Sequence, residues 1–222
     1  MHKYVLSFSS EKYPLLAKDL PDLPDSDICC PDGKEVIILL GGNEFVDKDC
    51  LLSGRQQIEQ AIASGQKTIS VRIAFTVPVR LGALFALIKK VRYRWKTQGT
   101  GIYHIDPNFL RDTGLERIQR NKQNAYQFSN RRWKIKPKEQ QDRYQKLLND
   151  LSSGYNDQYP MRVMLCRKGG YKDSLDDGHH RLSICIDNHI PMVALCFCYA
   201  SSWQAVRQIF SFNHTTLYSK EK

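Results

Sequence analysis

The sequence predicts an α+β fold that combines short strands with a small number of helices. Four short runs rich in apolar and β-branched residues have the pattern of strands, at 35–40, 68–77, 160–166 and 190–199. Other segments place apolar residues three and four positions apart, as amphipathic helices do. A chain of 222 residues with 41% hydrophobic residues can bury a substantial core between such elements.

The beginning of the chain has little regular pattern. Residues 1–35 contain several acids and three prolines between Leu20 and Pro31, so they predict an irregular lead-in. The apolar run 35–40 predicts a buried strand that Gly41-Gly42 ends. This glycine pair is interpreted as a simple turn, with a phosphate cradle as the alternative.

A helix and a strand are predicted next. Residues 53–63 have helical spacing, with Ser53 as a possible N-cap and Gly65 as the stop. Residues 68–77 alternate and are β-branched, so they predict a strand. The first third of the chain therefore predicts a small βαβ-like unit.

A basic amphipathic segment follows Pro78. Apolar residues recur at helical spacing across 80–96, and lysines and arginines crowd its flank and second half. A core helix with a solvated basic edge is one interpretation, and a helix resting on an anionic membrane is another. Contact with nucleic acid is a third. The apolar part is too short to span a bilayer.

The middle of the chain is loop-like and then strongly basic. Residues 97–115 predict a loop, and 116–138 combine many cations with three aromatic residues. Aromatic rings among cations can stack nucleobases while the cations contact phosphates, although a basic surface anchored by its aromatics explains the same pattern. The candidate nucleic-acid contacts are Arg131, Arg132, Trp133 and Lys134.

The last part of the chain alternates helices and strands. The predicted elements are a helix at 138–151, a strand at 160–166, a short strand at 171–175, a helix at 179–188, a strand at 190–199 and a helix at 202–212. Gly169-Gly170 form the turn between the first two strands. No internal repeat is visible.

Charge and cysteine content restrict the class of protein. The formal charge of +10 favours an anionic partner such as a nucleotide, a nucleic acid, a phosphorylated sugar or a membrane surface. The seven cysteines are odd in number and form no CxxC pair, so they predict reduced, buried thiols and no zinc site. The first residues do not have the pattern of a secretory signal. These observations predict a cytoplasmic protein, with peripheral membrane attachment as an alternative.

The run Asp176-Asp177-Gly178-His179-His180-Arg181 concentrates the chemistry of the chain where a strand is predicted to give way to a helix. Gly178 would let the backbone approach a phosphate, and the first N–H groups of the helix would face the anion. Arg181 would bind phosphate oxygens in a bidentate manner.

The other side chains of this run have roles in acid–base or metal chemistry. His179 could act as an acid or a base. Asp176 or Asp177 could act as a base toward a hydroxyl, and Asp177 is the candidate ligand for Mg²⁺. The alternative is structural, with Asp177 as a helix N-cap and the histidines as ordinary surface or packing residues.

The last eighty or so residues resemble the ParB N-terminal/sulfiredoxin family. The resemblance depends on a helix from Arg143 to Leu151, a Pro-x-x-Val strand at 160–163, and the Asp-Gly-His-His-Arg signature at 177–181 followed by a helix and the strand of 190–193. It implies a small mixed sheet with helices, preceded here by an α/β extension. The predicted domains are 1–115 for this extension and 116–222 for the ParB/sulfiredoxin-like unit.

The resemblance implies a nucleotide as ligand. His180 matches the family histidine and would donate to a phosphate oxygen, so that Gly178, His179, His180 and Arg181 bind the cofactor. ATP or another nucleoside triphosphate with Mg²⁺ is the implied cofactor, and phosphoryl transfer or hydrolysis is the implied reaction. A hydroxyl-bearing or membrane-linked acceptor such as a glycolipid would fit the basic helix. A ParB-like nucleic-acid-binding protein or nuclease is the alternative, and a non-catalytic nucleotide sensor is a third possibility.

Two departures from the family narrow this choice. About forty residues follow Arg181, and one strand and one helix account for them, so a partition protein's helix-turn-helix is not expected. The position where sulfiredoxins have their catalytic cysteine is His179, which argues against cysteine-based repair of sulfinic acids.

Overall fold

The computed structural model describes residues 3–28, 35–78, 94–112, 137–152, 154–165, 173–202 and 216–219. The strands within these ranges are β1 (Lys3–Leu16), β2 (Val36–Leu39), β3 (Cys50–Ser53), β4 (Thr68–Pro78), β5 (Arg94–Gln98), β6 (Tyr103–Ile105), β7 (Met161–Leu165), β8 (Ser174–Asp177), β9 (Val193–Ser202) and β10 (Thr216–Ser219). The helices are a 3-10 turn (Ala17–Asp19), α1 (Arg55–Ala63), α2 (Pro107–Asp112), α3 (Pro137–Ser152) and α4 (His179–Asp187).

All of these strands belong to one mixed sheet. Its order is β3-β2-β4-β1-β6-β9-β7-β8, with β10 also paired to β1 and β5 also paired to β9. The pairs β2–β4 and β7–β9 are parallel, and the other described pairs are antiparallel. Parallel pairs need a crossover connection, which α1 supplies in the first half and α4 in the second.

The main core lies between the sheet and the helices. Ile58, Leu110, Leu151 and Leu182, one from each of the helices α1 to α4, pack in a single apolar cluster with the inward side chains of the strands. Because strand side chains alternate between faces, neighbouring residues such as Ile37 lie on the other face, in a smaller cluster. The helices therefore cover one face of the sheet.

Several predicted elements are confirmed. The chain is of the α+β class, and β2, β4 and β7 occur within a few residues of their predicted positions. Helices α3 and α4 also agree with prediction. Since β2 and β4 are parallel and α1 connects them, the predicted βαβ-like unit is present, with β3 inserted before the helix.

The prediction of an irregular lead-in is wrong for residues 3–16, which form the longest of the described strands. β1 lies inside the sheet and pairs with β4, β6 and β10. The register shifts between Phe8 and Lys12, and there the Ser9 hydroxyl accepts a hydrogen bond from the Ile73 amide at 3.1 Å. This bulge and the polar residues of β1 break the alternation that sequence patterns detect.

Four further predictions need correction. Ser53 ends β3 and donates to the Glu35 carbonyl at 2.6 Å, so it does not cap α1, which begins after Gly54 in a left-handed conformation. The predicted helix at 80–96 is wrong over its last three residues, which belong to β5. The predicted loop at 97–115 contains β6 and α2. The short strand predicted at 171–175 is found at 174–177.

Other predictions fall outside the described residues. These are the basic helix over 79–93, the basic segment 116–136 with Arg131, Arg132, Trp133 and Lys134, the closing helix over 203–212, and three of the cysteines, Cys29, Cys30 and Cys166. The predicted boundary at 115/116 also lies there. The pairing of β5 and β6 with β9 joins strands from both predicted domains in one sheet.

The cysteines within the described residues agree with the prediction of reduced, buried thiols. Cys50, Cys185, Cys196 and Cys198 are free and buried. Burial raises the pKa of Cys185 to about 11 and that of Cys198 to about 12. Thiols of this kind are poor nucleophiles and act as small apolar side chains.

Candidate functional site

The predicted phosphate site lies where β8 passes into α4, with Gly178 as the connecting residue. Gly178 has φ 101° and ψ 11°, and no side chain caps the start of the helix. A Cβ atom on this residue would lie 2.8 Å from Cγ of the buried Met161. Glycine is therefore required here by the backbone conformation and by the close packing of β7.

The two aspartates before the glycine take part in an ion-pair network. Asp176 lies 2.7 Å from Nζ of Lys96 and 3.3 Å from Nε of Arg162. Asp177 lies 3.2 Å from Nη2 of Arg181 and 3.8 Å from Nη2 of Arg162. Three cations thus surround two carboxylates, which leaves the group with an excess of one positive charge beside the start of α4.

Lys96 and Arg162 are site residues that the sequence did not reveal. Arg162 follows Met161 at the start of β7, and Lys96 lies on β5, which is joined to β7 through β9. Only the strand register brings them to Asp176. The single arginine among the apolar residues of β7 was the one available signal, and it does not specify a partner.

Arg181 is engaged by protein groups in this structure. Its Nη1 donates to the Tyr155 hydroxyl at 2.9 Å and to the Tyr159 carbonyl, and its Nη2 donates to Asp177. Burial raises the pKa of Tyr155, so its hydroxyl keeps a proton and donates in turn to the Tyr159 carbonyl at 2.7 Å. Arg181 therefore links α4 to the loop 154–160, and a phosphate would have to use its remaining N–H donors.

His179 and His180 occupy the first turn of α4, and both are half-buried. The signature thus brings two imidazoles and a guanidinium to one helix start. Helix N–H groups and nearby cations stabilise an anion at such a position. The arrangement can bind an anionic group, and it provides imidazole nitrogens for proton transfer.

A metal ion fits this site only in part. Asp177 already contacts two arginines and accepts from the Gly178 amide at 2.9 Å. No cluster of three or more histidine, cysteine, aspartate or glutamate side chains suited to a metal occurs within the described ranges. A Mg²⁺ ion would therefore need most of its ligands from phosphate and water, as Mg²⁺ often does.

The glycine pair Gly41-Gly42 is a turn, as its favoured interpretation predicts. The Gly41 amide donates to the carboxylate of the buried Asp49 at 2.8 Å, and the Gly42 amide donates to the Asp47 carbonyl at 3.0 Å. Asp49 also accepts from Gly101 and from the Tyr103 hydroxyl, each at 2.9 Å. These amides are used within the protein, so they do not form a phosphate cradle.

Asp173 and His104, two polar residues outside the run from Asp176 to Arg181, have protein partners. Asp173 is buried and accepts from the Tyr13 hydroxyl at 2.6 Å, which ties the start of β8 to β1. His104 contacts Asp19 and Asp157 rather than Asp106. Asp106 instead accepts from the Asn108 amide at the start of α2.

A cavity of about 310 Å³ lies elsewhere, beside β2 and α1. Its lining includes Glu35, which forms ion pairs with both Lys12 and Arg72, and none of the predicted site residues. The candidate site at α4 is thus separate from this cavity, and its Asp177 side chain is exposed.

Comparisons with known proteins do not assign the chain to a family. Over the ranges that the structure describes, no helix combines the length and the apolar character needed to cross a membrane. Searches of the chain against protein-family models, curated proteins and solved structures found no match.

Proposed function

We propose that this protein binds a nucleotide through the start of α4 and uses it in phosphoryl transfer or phosphate hydrolysis. The observation that supports this proposal is the Gly178 junction, an uncapped helix start beside an excess of positive charge. The order of α3, β7, β8, α4 and β9 also fits the ParB/sulfiredoxin resemblance. The proposed ligand is ATP or another nucleoside triphosphate.

The roles follow from the positions of the side chains. The first N–H groups of α4 would bind phosphate oxygens, with His179, His180 and Arg181 as additional donors. Asp177 would contribute one oxygen to Mg²⁺, with the phosphates and water supplying the others. Since phosphoryl transfer depends mainly on positioning and charge neutralisation, these groups are suited to it.

Calorimetric titration with ATP, CTP and GTP in the presence of Mg²⁺ tests the binding step. We expect the double substitution His179→Gln/His180→Gln to weaken the affinity by about tenfold, the effect of losing about 1.4 kcal/mol of charge-assisted hydrogen bonding. His189→Asn is the matched control, because His189 is exposed at the other end of α4 with φ 55°, which asparagine tolerates. Absence of binding to the wild type, or equal affinity of the double variant, would contradict the proposal.

Release of phosphate separates an enzyme from a nucleotide sensor. Asp177→Asn is expected to reduce turnover more than it reduces nucleotide affinity, since it removes the proposed Mg²⁺ ligand. Binding without any release of phosphate in the wild type would exclude the phosphate hydrolase and leave a nucleotide sensor or a phosphotransferase that needs its acceptor.

The nucleic-acid alternative is supported by the formal charge of +10. The stretch that would make the contacts, Arg131 to Lys134, lies outside the described residues. If nucleic acid were the ligand, its affinity would fall steeply with salt, because phosphate contacts release counterions. Strong, salt-dependent DNA or RNA binding without nucleotide binding would favour this alternative over the phosphotransferase.

A further inference from the structure

His104 joins three separate parts of the chain. It lies in β6, with Asp19 of the 3-10 turn 3.0 Å from its Nδ1 and Asp157 of the loop 154–160 2.9 Å from its Nε2. A neutral imidazole has one N–H and therefore donates to only one carboxylate. Simultaneous hydrogen bonds to both aspartates require the doubly protonated, charged ring.

The two aspartates are not equivalent. Asp19 also accepts from the backbone amide of His104 at 2.7 Å, and its side chain is 10% exposed. Asp157 is 57% exposed, and within the described part of the chain it forms no ion pair other than that with His104. If the ring loses a proton, Asp19 therefore keeps a partner and Asp157 is the residue that is released.

Asp157 belongs to a loop that is closed by its own hydrogen bonds. The Gln158 amide donates to the Asn156 side chain at 2.9 Å, and the Tyr159 amide donates to the Asn156 carbonyl at 3.2 Å. The Tyr155 hydroxyl then bonds to the Tyr159 carbonyl. These bonds join Asn156, Gln158 and Tyr159 to one another, so we expect a contact at Asp157 to affect the position of Tyr155 and Tyr159.

The same loop supplies two of the acceptors of Arg181. Nη1 of Arg181 donates to the Tyr155 hydroxyl and to the Tyr159 carbonyl. His104 and Arg181 therefore contact the same short segment, one through Asp157 and the other through the two tyrosines.

We propose that charged His104 is a positioning residue that holds the loop 154–160 and, through it, the guanidinium of Arg181 in the geometry that binds the nucleotide phosphates. This inference depends on the proposed function for its consequence, but the link between His104 and Arg181 can be measured without a ligand. The affinity for nucleotide is expected to fall as His104 loses its proton.

The electrostatics of His104 agree with this role. Burial of the ring by itself lowers its pKa, but the hydrogen bond to Asp157 and the charge of Asp19 outweigh burial and raise the pKa above the ordinary value. Among the described residues, the charged groups that face the ring are these two aspartates. Asp106, two residues along the chain, is directed at Asn108 instead.

The first experiment uses the full-length protein without ligand. NMR titration follows the His104 ring and the Arg181 side-chain N–H signals from acid to alkaline pH, in the wild type and in Asp157→Asn. In the wild type we expect the chemical shifts of the Arg181 signals to change with the same pH midpoint as those of the His104 ring. In the variant we expect this change in the Arg181 signals to disappear. Arg181 signals that do not follow His104 would overturn the positioning role, whatever the outcome for nucleotide binding.

The second experiment measures nucleotide affinity by calorimetry across the same pH range. The ratio of wild-type to Asp157→Asn affinity is the relevant quantity, because the phosphates and the other histidines titrate in both proteins. Below the His104 pKa we expect the wild type to bind nucleotide roughly fivefold or more tightly than the variant, which is the lower end of the coupling usually found between linked sites. Above this pKa we expect a ratio near one. A ratio that does not change with pH would contradict the inference.

Asp106→Asn is the matched control, since asparagine can still accept from the Asn108 amide and the residue does not contact His104. If the wild type binds no nucleotide, the proposed function fails, and the NMR titration alone decides whether His104 positions Arg181.

Discussion

At the scale of single residues, the described chain depends on a few groups whose surroundings make substitution costly. Gly178 combines a left-handed backbone with contact to Met161, and Asp49 is a buried carboxylate that amides and a hydroxyl surround. The first lies in the candidate site, and the second joins the turn at Gly41 to the loop at Gly101. Both positions allow substitutions whose effects can be predicted from the contacts.

Gly178→Ala should lower the free energy of unfolding by about 2–4 kcal/mol, since it adds backbone strain and a clash with Met161. Urea denaturation measures the loss. Gly65→Ala is the control, because Gly65 has φ 72° but no atom within 4 Å of its Cβ position, so only the backbone cost of about 1 kcal/mol remains. Equal losses in the two variants would show that packing against Met161 contributes nothing.

Asp49→Asn should cost about 3 kcal/mol of unfolding free energy, because its NH2 group replaces one of the two carboxylate oxygens and would face either the Gly41 amide or the Gly101 amide, donor against donor. Thermal and urea unfolding both report this loss. Asp47→Asn, at an exposed position of the same turn, should change stability by less than about 0.5 kcal/mol. A mild effect at Asp49 would mean that water replaces these contacts.

At the scale of elements, local pattern predicted those strands and helices whose apolar residues follow one period throughout. β4 alternates along its length and α4 has a clear apolar stripe, and both were found where predicted. β1 was missed because its bulge at Ser9 and its polar residues interrupt the alternation. β5 was missed because Trp95 continues the helical spacing of the residues before it, while its partner β9 lies about a hundred residues away.

The candidate site, like the secondary structure, could be predicted only where local sequence carries the information. The residues from Asp176 to Arg181 are contiguous, so their chemistry is visible in the sequence. Lys96, Arg162 and Tyr155 come from other elements, and only the pairing of β5, β7 and β9 and the path of the loop bring them together.

The contact of His104 with two carboxylates predicts how stability depends on pH. The folded protein raises the pKa of His104, so the stabilising effect is complete below its unfolded pKa of about 6.5 and disappears as pH rises through the higher folded value. Urea denaturation from about pH 6 to about pH 9 should therefore show the wild type losing its advantage over Asp157→Asn. An advantage that persists at the alkaline end would mean that Asp157 stabilises the fold by another route.

At the scale of the whole molecule, strands from both ends of the described chain share one sheet. β1 and β6 come from the first half, and β7, β8 and β9 from the second, with the β6–β9 pair joining them. The division into 1–115 and 116–222 stays a prediction about folding units, and this sheet provides a direct way to examine it.

Native-state hydrogen exchange should give one opening free energy for the central strands of both halves. We expect the amides of Val71 in β4 and Phe197 in β9, both fully buried, to exchange through the same global unfolding. Exchange of Phe197 through an opening that leaves Val71 protected would indicate two units that unfold separately, as the predicted boundary implies.

The antiparallel pairing of Tyr103 with Leu195 also has a consequence for biosynthesis. While the ribosome is still translating the segments between them, the earlier strand has an unsatisfied edge on that side, which is the type of surface that nascent chains use in aggregation. Pairings of such long range slow the search for the native topology. Productive maturation in the cell should therefore depend on chaperones that protect this edge until translation reaches β9.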